Sequence, residues 1–158
     1  MNQSATAVCC PPFDPAPWNE TLVSFEGKWF LQDHVVSLFH IPLNFGGVMT
    51  RCMRLIEAHQ AQSQEQIVLS DESSLWGAEV YVLVNKEIPG AKMTRIPGQF
   101  RSKVFTGEFS QMGRFIQEMK NYVAVLGKSL GNLLFYYPLC PKCAKKYGGN
   151  KVVILNPE

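Results

Sequence analysis

The segment Glu79-Val80-Tyr81 places a carboxylate and a phenol two residues apart within an apolar stretch. Side chains two residues apart on a β-strand point to the same face, so we expect Glu79 and Tyr81 to lie side by side. In an aromatic cleft the pKa of Glu79 would be raised, and the carboxyl group could act as a general base toward water or pair with a cationic ligand. The alternative is that Glu79 lies at a solvated sheet rim and Tyr81 packs as an ordinary aromatic.

The cysteines provide a second candidate for chemistry. Cys140 and Cys143 have the spacing of a redox motif or a metal knuckle, and the vicinal pair Cys9 and Cys10 could complete a four-thiolate zinc site. Redox association of these thiols and two unrelated thiol clusters are the alternatives. Cys52 lies on the apolar stripe of a predicted helix and is expected in the core.

Two other side chains deserve a place among the candidates. Trp76 precedes a glycine at a strand entry and forms either a cleft wall or part of the core, while His40 ends a strand and is either a base or ligand or a structural residue. The chain has no nucleophile elbow and no cysteine with a histidine-paired signature. We therefore do not expect hydrolysis by a serine or cysteine triad.

The elements that position these residues are predicted from periodicity. Residues 110–127 carry apolar side chains at spacings of three and four, which indicates an amphipathic helix that Ser110 could cap and Gly127 could end. The same pattern occurs 67 residues earlier, in a helix over residues 45–60 that Asn44 could cap. Strand-like stretches cover residues 28–41, 67–70, 78–85, 93–105, 133–137 and 152–155.

The order strand, helix, strand, strand therefore occurs twice, and it predicts an α+β fold built from two β-α-β-β modules, about 28–88 and 91–158. We expect one antiparallel sheet with both helices on one face. The strands carry apolar residues on their second face as well, which predicts a ligand cleft or a subunit interface there. The expected cleft residues are Trp76, Glu79, Tyr81, Phe109 and Tyr136 or Tyr137.

Composition limits the class of protein. The 158 residues are 46% hydrophobic and 18% charged, which fits one domain with a full core, and the net charge of +2 makes nucleic acid an improbable partner. No apolar run is long enough for a membrane helix and no signal peptide is recognisable, so we expect a cytoplasmic protein without a membrane partner. Residues 1–27 form a proline-rich arm, and Phe13 and Trp18 are expected to bury their side chains on the body.

The chain resembles the GyrI-like family of small-molecule-binding domains over roughly residues 28–155. The resemblance rests on the element order, on SDESSLWGAEVYVLV, and on Phe105-Thr106-Gly107-Glu108-Phe109, which is similar to the family's passage of aromatic, any residue, Gly, Pro and Tyr. Glu108 and Phe109 replace the usual Pro and Tyr. Some relatives carry only a generic hydrolase label.

The resemblance implies a cleft between two modules that takes flat, apolar and often cationic compounds, and in some members it implies hydrolysis of strained-ring natural products. Many members use a Glu-x-Tyr pair after the second helix, where this chain has Leu134-Phe135-Tyr136-Tyr137. Glu79 and Tyr81 are a possible substitute for that pair.

Three functions stay open at this point. The first is binding of a small flat apolar or cationic compound for sensing or sequestration. The second is hydrolysis of a bound natural product through Glu79 and a tyrosine, and the third is use of the sheet face as a subunit interface, which would make the protein a homodimer. A structural zinc ion is the cofactor that the sequence allows.

Overall fold

Strands dominate the computed structural model, which describes residues 10–39 and 41–158. In these residues nine strands form one antiparallel sheet, accompanied by three α-helices. The strands are β1 (Thr21–Ser24), β2 (Trp29–Leu38), β3 (Ile41–Pro42), β4 (Val68–Asp71), β5 (Gly77–Val84), β6 (Met93–Thr94), β7 (Gln99–Thr106), β8 (Leu134–Tyr136) and β9 (Lys151–Pro157). The helices are α1 (Phe45–Ala58), α2 (Met112–Val125) and α3 (Pro141–Lys146). This is the α+β class that the sequence predicts.

The strands lie in the order β1-β7-β9-β8-β4-β5-β2-β3, and the short β6 also pairs with β2. Every pairing is antiparallel. The centre of the sheet is the β4–β8 pair, in which Leu69 lies opposite Tyr136 and Ser70 opposite Phe135. This pair joins the first half of the chain to the second.

Helices α1 and α2 pack on the same face of the sheet. Helix α1 buries Val48, Cys52 and Ile56 against a cluster that includes Val82, and α2 packs on Phe135. The strand register shows that the two clusters lie on one face. Val82 lies opposite Val68 and Phe135 lies opposite Ser70, and Val68 and Ser70 point to the same side of β4. We call this surface the helix-bearing face and the opposite one the helix-free face.

The first turns of the helices differ from the predicted caps. The Asn44 side chain makes no cap hydrogen bond, and its Oδ1 instead accepts the Val36 backbone N–H at 2.8 Å. Before α2, a turn of 3-10 helix at Phe109–Gln111 is capped reciprocally by Glu108 and Gln111, so the α-helix begins two residues after Ser110. Gly127 has φ 77°, the left-handed conformation expected at the end of α2.

Three local features differ from the predicted elements. Strand β1 lies inside the predicted arm, and α3 lies where a loop was expected around Cys140 and Cys143. The predicted strand 28–41 is interrupted because Phe39 takes φ 48°, which turns the chain back into β3. No helix within residues 10–39 and 41–158 combines the length and the apolarity needed to cross a membrane.

The middle of the helix-free face is covered by residues 10–20, which we call the N-terminal segment. Phe13 and Trp18 pack on a buried cluster that contains Phe25, Phe30 and Tyr136. The centroids of the Trp18 and Tyr136 rings lie 4.9 Å apart. The Ser102 hydroxyl donates a hydrogen bond to the Trp18 backbone carbonyl at 2.6 Å. The sheet is therefore packed on both faces, by helices on one and by the chain's own beginning on the other.

Candidate functional site

A histidine and a glutamate meet on the helix-free face, beyond the part that the N-terminal segment covers. His34 on β2 lies directly opposite Glu79 on β5, and its Nδ1 is 2.9 Å from Glu79 Oε1. The second carboxylate oxygen of Glu79 accepts a hydrogen bond from Gln32 Nε2, also at 2.9 Å. Both carboxylate oxygens are thus engaged, and we refer to these residues as the His34–Glu79 pair.

The electrostatics of Glu79 differ from the sequence expectation. Partial burial by itself would raise the pKa of Glu79, but the hydrogen bonds from Gln32 and His34 and the positive charge of Lys92 outweigh it and hold that pKa below its ordinary value. The predicted raised pKa is therefore wrong. Glu79 is therefore ionised at neutral pH and accepts hydrogen bonds, and its lowered pKa makes it a weak general base.

A glycine makes room for the imidazole. An added Cβ at Gly77 would lie 2.5 Å from His34 Cε1 and 2.7 Å from Nε2, closer than such atoms approach. The ring therefore rests against the bare backbone of β5, with Nδ1 toward Glu79. The His34 side chain is 55% exposed, so water reaches it.

Tyr81 continues the same strand face. It is half-buried against the cluster on the helix-free face. Burial, together with the nearby carboxylates of Asp71 and Glu79, raises the pKa of Tyr81 and keeps its hydroxyl protonated. Asp71 lies opposite Glu79 across β4 and β5, and its Oδ2 accepts the Asn132 side-chain N–H at 2.7 Å.

The two consecutive tyrosines of the predicted cleft lie on opposite faces. Tyr136 is 9% exposed beneath Phe13 and Trp18, and burial is the main reason that its pKa rises to about 12. Tyr137 packs on the helix-bearing face with Phe109, at 5.7 Å between ring centroids. The structure therefore brings Tyr137 together with Phe109 and separates both from Glu79.

A second carboxylate lies beside Tyr137. Glu72 Oε1 accepts hydrogen bonds from the Tyr137 hydroxyl at 2.9 Å and from the Ser70 hydroxyl at 2.7 Å. Burial and the charge of Glu72 raise the pKa of Tyr137, which therefore stays a donor. Phe109 is 49% exposed next to this group.

Trp76 stands outside both groups. Its side chain is 57% exposed and its ring lies 5.2 Å from that of Phe39. Along β2, Val36 and Leu38 follow His34 on the same strand face and are 46% and 45% exposed. Apolar surface therefore adjoins the His34–Glu79 pair.

Three of the four predicted metal-ligating cysteines come together. The sulfur atoms of Cys10, Cys140 and Cys143 all lie within 4.8 Å of one another, so these three residues could bind a metal ion. Cys9 lies outside the described residues, as does His40. Cys52 is fully buried in α1, as expected of a core residue.

An open groove of about 490 Å³ lies at a different place, between the start of β2 and the loop after α1. Its charged side chains are Lys28 and Glu65, which pair with each other at 3.2 Å. The described residues that line the groove include no third titratable side chain. The groove is therefore a weaker candidate than the His34–Glu79 pair.

Sequence reasoning missed His34 and Glu72. The alternation of β2 puts His34 and Gln32 on one face of that strand. Only the register of β2 with β5 reveals that His34 lies opposite Glu79. Glu72 has no local signal, because one of its partners, Tyr137, lies 65 residues away in the chain.

A family model described as "Bacterial hydrolase" matches residues 1–157. A search of curated proteins finds no match.

Proposed function

Since the chain belongs to the bacterial hydrolase family, we propose that it is a small hydrolase in which His34 activates water and Glu79 positions the imidazole. The observation that carries the proposal is the 2.9 Å contact between His34 Nδ1 and Glu79 Oε1. An ionised carboxylate only accepts hydrogen bonds, so Nδ1 carries the proton. Nε2 is then the basic nitrogen, as general-base catalysis requires.

The reaction follows from this tautomer. Nε2 of His34 removes a proton from water while the water oxygen forms a bond to the electrophilic carbon of the substrate. The imidazolium is stabilised by ionised Glu79 and returns the proton to the leaving group as its bond to carbon breaks. Gln32 holds the second carboxylate oxygen, which keeps Glu79 in the orientation that His34 needs.

Tyr81 borders the site in this proposal. Its raised pKa keeps the hydroxyl protonated, and it lies on the same face of β5 as Glu79. Glu79 separates Tyr81 from Gly77 and His34 Nε2, where the water attacks, so the phenol donates a hydrogen bond to a polar group on a more distant part of the substrate. This role modifies the sequence hypothesis, which paired Glu79 as the base with a tyrosine.

The surroundings favour a neutral, apolar substrate. Val36 and Leu38 extend from His34 along β2 as an exposed apolar strip. A cationic group would instead compete with His34 for Glu79. An ester, lactone or other strained ring on an apolar body is the class that fits.

The test compares two histidines. Wild-type protein is screened for hydrolysis of neutral aryl esters and lactones, and His34→Ala and Glu79→Gln are expected to lower turnover about 10²–10⁴-fold. His59→Ala is the matched control, because His59 Nδ1 contacts the Leu55 carbonyl at the end of α1, away from this pair. If wild type hydrolyses a compound and His34→Ala hydrolyses it equally fast, His34 is not the general base.

The duplicated module arrangement belongs to the same proposal. The sheet order reads β4-β5-β2 outward from the centre on one side and β8-β9-β7 on the other. Chain order is β2-α1-β4-β5 in one half and β7-α2-β8-β9 in the other. These matching orders support two modules related by a pseudo-twofold axis between β4 and β8, as the GyrI-like resemblance implies.

A second candidate function is ligand binding at the seam between these modules. Glu72, Ser70, Tyr137 and Phe109 form the group that favours it, because a carboxylate with an exposed aromatic ring suits a flat cation. In this second proposal the aromatic ligand site lies on the helix-bearing face, whereas the sequence hypothesis had it on the helix-free face.

A further inference from the structure

We propose that Cys10, Cys140 and Cys143 bind one zinc ion that fastens the N-terminal segment to helix α3. The three sulfur atoms come from positions up to 133 residues apart in the chain and lie within 4.8 Å of one another. Tetrahedral zinc with bonds of about 2.3 Å places thiolate sulfurs roughly 3.8 Å apart. A small contraction of the present arrangement reaches that geometry.

The local structure explains the convergence. Cys140 is the N-cap of α3 and Cys143 lies three residues later, so one helical turn directs both sulfurs to the same side. Pro141 occupies the first helical position and fixes the backbone there. The Cys140 backbone N–H donates to Cys10 Sγ at 3.5 Å, and the Tyr147 hydroxyl donates to the Cys10 carbonyl at 3.2 Å.

The convergence of three sulfur atoms suits a metal ion. A disulfide joins two sulfur atoms, whereas three of the described residues converge here, as the ligands of one metal ion do. Three thiolates with Zn²⁺ leave a net charge of −1, and the lysines of this segment offset it. These are Lys142, Lys145 and Lys146.

The small core of this region gives the ion a structural role. Helix α3 has only six residues, too few for independent stability, and its cluster contains three buried residues, Leu139, Cys143 and Ala144. Phe13 contacts both this cluster and the one containing Tyr136. A metal bond to Cys10 therefore also holds the segment that covers the helix-free face.

The experiment measures metal in the full-length protein, purified under reducing conditions without chelator. Wild type is expected to carry about one zinc per chain, and Co²⁺ substitution should give the visible bands of a tetrahedral thiolate site. Cys10→Ser, Cys140→Ser and Cys143→Ser should each lower bound metal at least tenfold. Circular dichroism identifies any variant that has lost its fold, and half-buried Cys10 is the decisive position.

Cys52→Ser is the control. Burial and the neighbouring Asp33 raise the pKa of the Cys52 thiol to about 11, and the residue lies in a different cluster. Its substitution should leave metal content unchanged. A wild-type protein that binds neither zinc nor cobalt with its thiols reduced would overturn the proposal, as would folded Cys10→Ser protein with full metal content. Metal content and ester hydrolysis are separate readouts, so each proposal can fail alone.

Discussion

His34 and Glu79 face each other across β2 and β5, with His34 Nδ1 2.9 Å from Glu79 Oε1. Residues directly opposite on antiparallel strands have adjacent side chains, and both strands are buried in the core on either side of this position. The rigid strands therefore set the direction of the imidazole.

Gly77→Ala should separate the geometry of the pair from the fold. The new Cβ would overlap His34 Cε1 and Nε2 and would lie 3.2 Å from the Val35 carbonyl oxygen. The exposed ring can swing away, and the carbonyl needs a shift of only a few tenths of an ångström, so the expected cost to stability is small. The loss of alignment should lower any hydrolytic turnover about 10²-fold. Gly113→Ala is the control, since its Cβ meets nothing within 4 Å. Unchanged turnover in folded Gly77→Ala would contradict a role for the observed ring position.

Asp33 should make the free energy of unfolding depend on pH in the acidic range. The hydrogen bond from Arg51 outweighs partial burial and holds the pKa of Asp33 below its ordinary value of 3.8. The stability from ionised Asp33 is present above that ordinary value and is lost as pH falls through the lowered one. Asp33→Asn should therefore unfold at lower urea concentration than wild type at pH 7.

The difference between Asp33→Asn and wild type should disappear in strong acid. Arg51→Gln and the double variant complete the cycle, which isolates the pair from other acid-sensitive groups. An additive double variant at pH 7 would show that the 2.6 Å contact between Arg51 and Asp33 contributes nothing to stability.

Asn156 should be a stabilising buried amide. It is 1% exposed, its Oδ1 accepts the Gly131 backbone N–H at 2.8 Å, and its Nδ2 donates to the Ser129 carbonyl at 3.2 Å. Asn156→Ala removes these two hydrogen bonds between β9 and the loop after α2, at about 0.5–1.5 kcal/mol each, and should lower the free energy of unfolding by about 1–3 kcal/mol. Asn121→Ala, on the exposed surface of α2, should change it far less in the same denaturation measurement.

Glu72 should discriminate ligands by charge if the group of Glu72, Ser70, Tyr137 and Phe109 binds them. Glu72→Gln should weaken flat cationic compounds by about 1–3 kcal/mol and leave neutral ones nearly unchanged, because only the cation loses a charge-assisted contact. Calorimetric titration measures both. Glu118→Gln, an exposed carboxylate paired with Arg114, serves as the control. Equal weakening of neutral and cationic ligands would argue for a structural effect of Glu72.

The elements with a local signal can be predicted from the amino-acid sequence. Periodicity identifies α1 and α2, because a helix must bury one stripe, and Gly127 marks the end of α2 because it tolerates φ 77°. The alternation of β5 places Glu79 and Tyr81 on one face. The sequence has two pairs of closely spaced cysteines, which predicts that Cys9 or Cys10 lies near Cys140 and Cys143. The structure has Cys10 in that position.

Which residues share a site depends on long-range contacts that no local pattern predicts. The contact of His34 with Glu79 depends on strand register over 45 residues of chain, and a shift of one residue would place His34 on the other face. The same argument applies to Tyr136 and Tyr137, which strand alternation sends to opposite faces. Burial of Tyr136 depends on Trp18, which comes from a segment that has no periodic pattern to show where it packs.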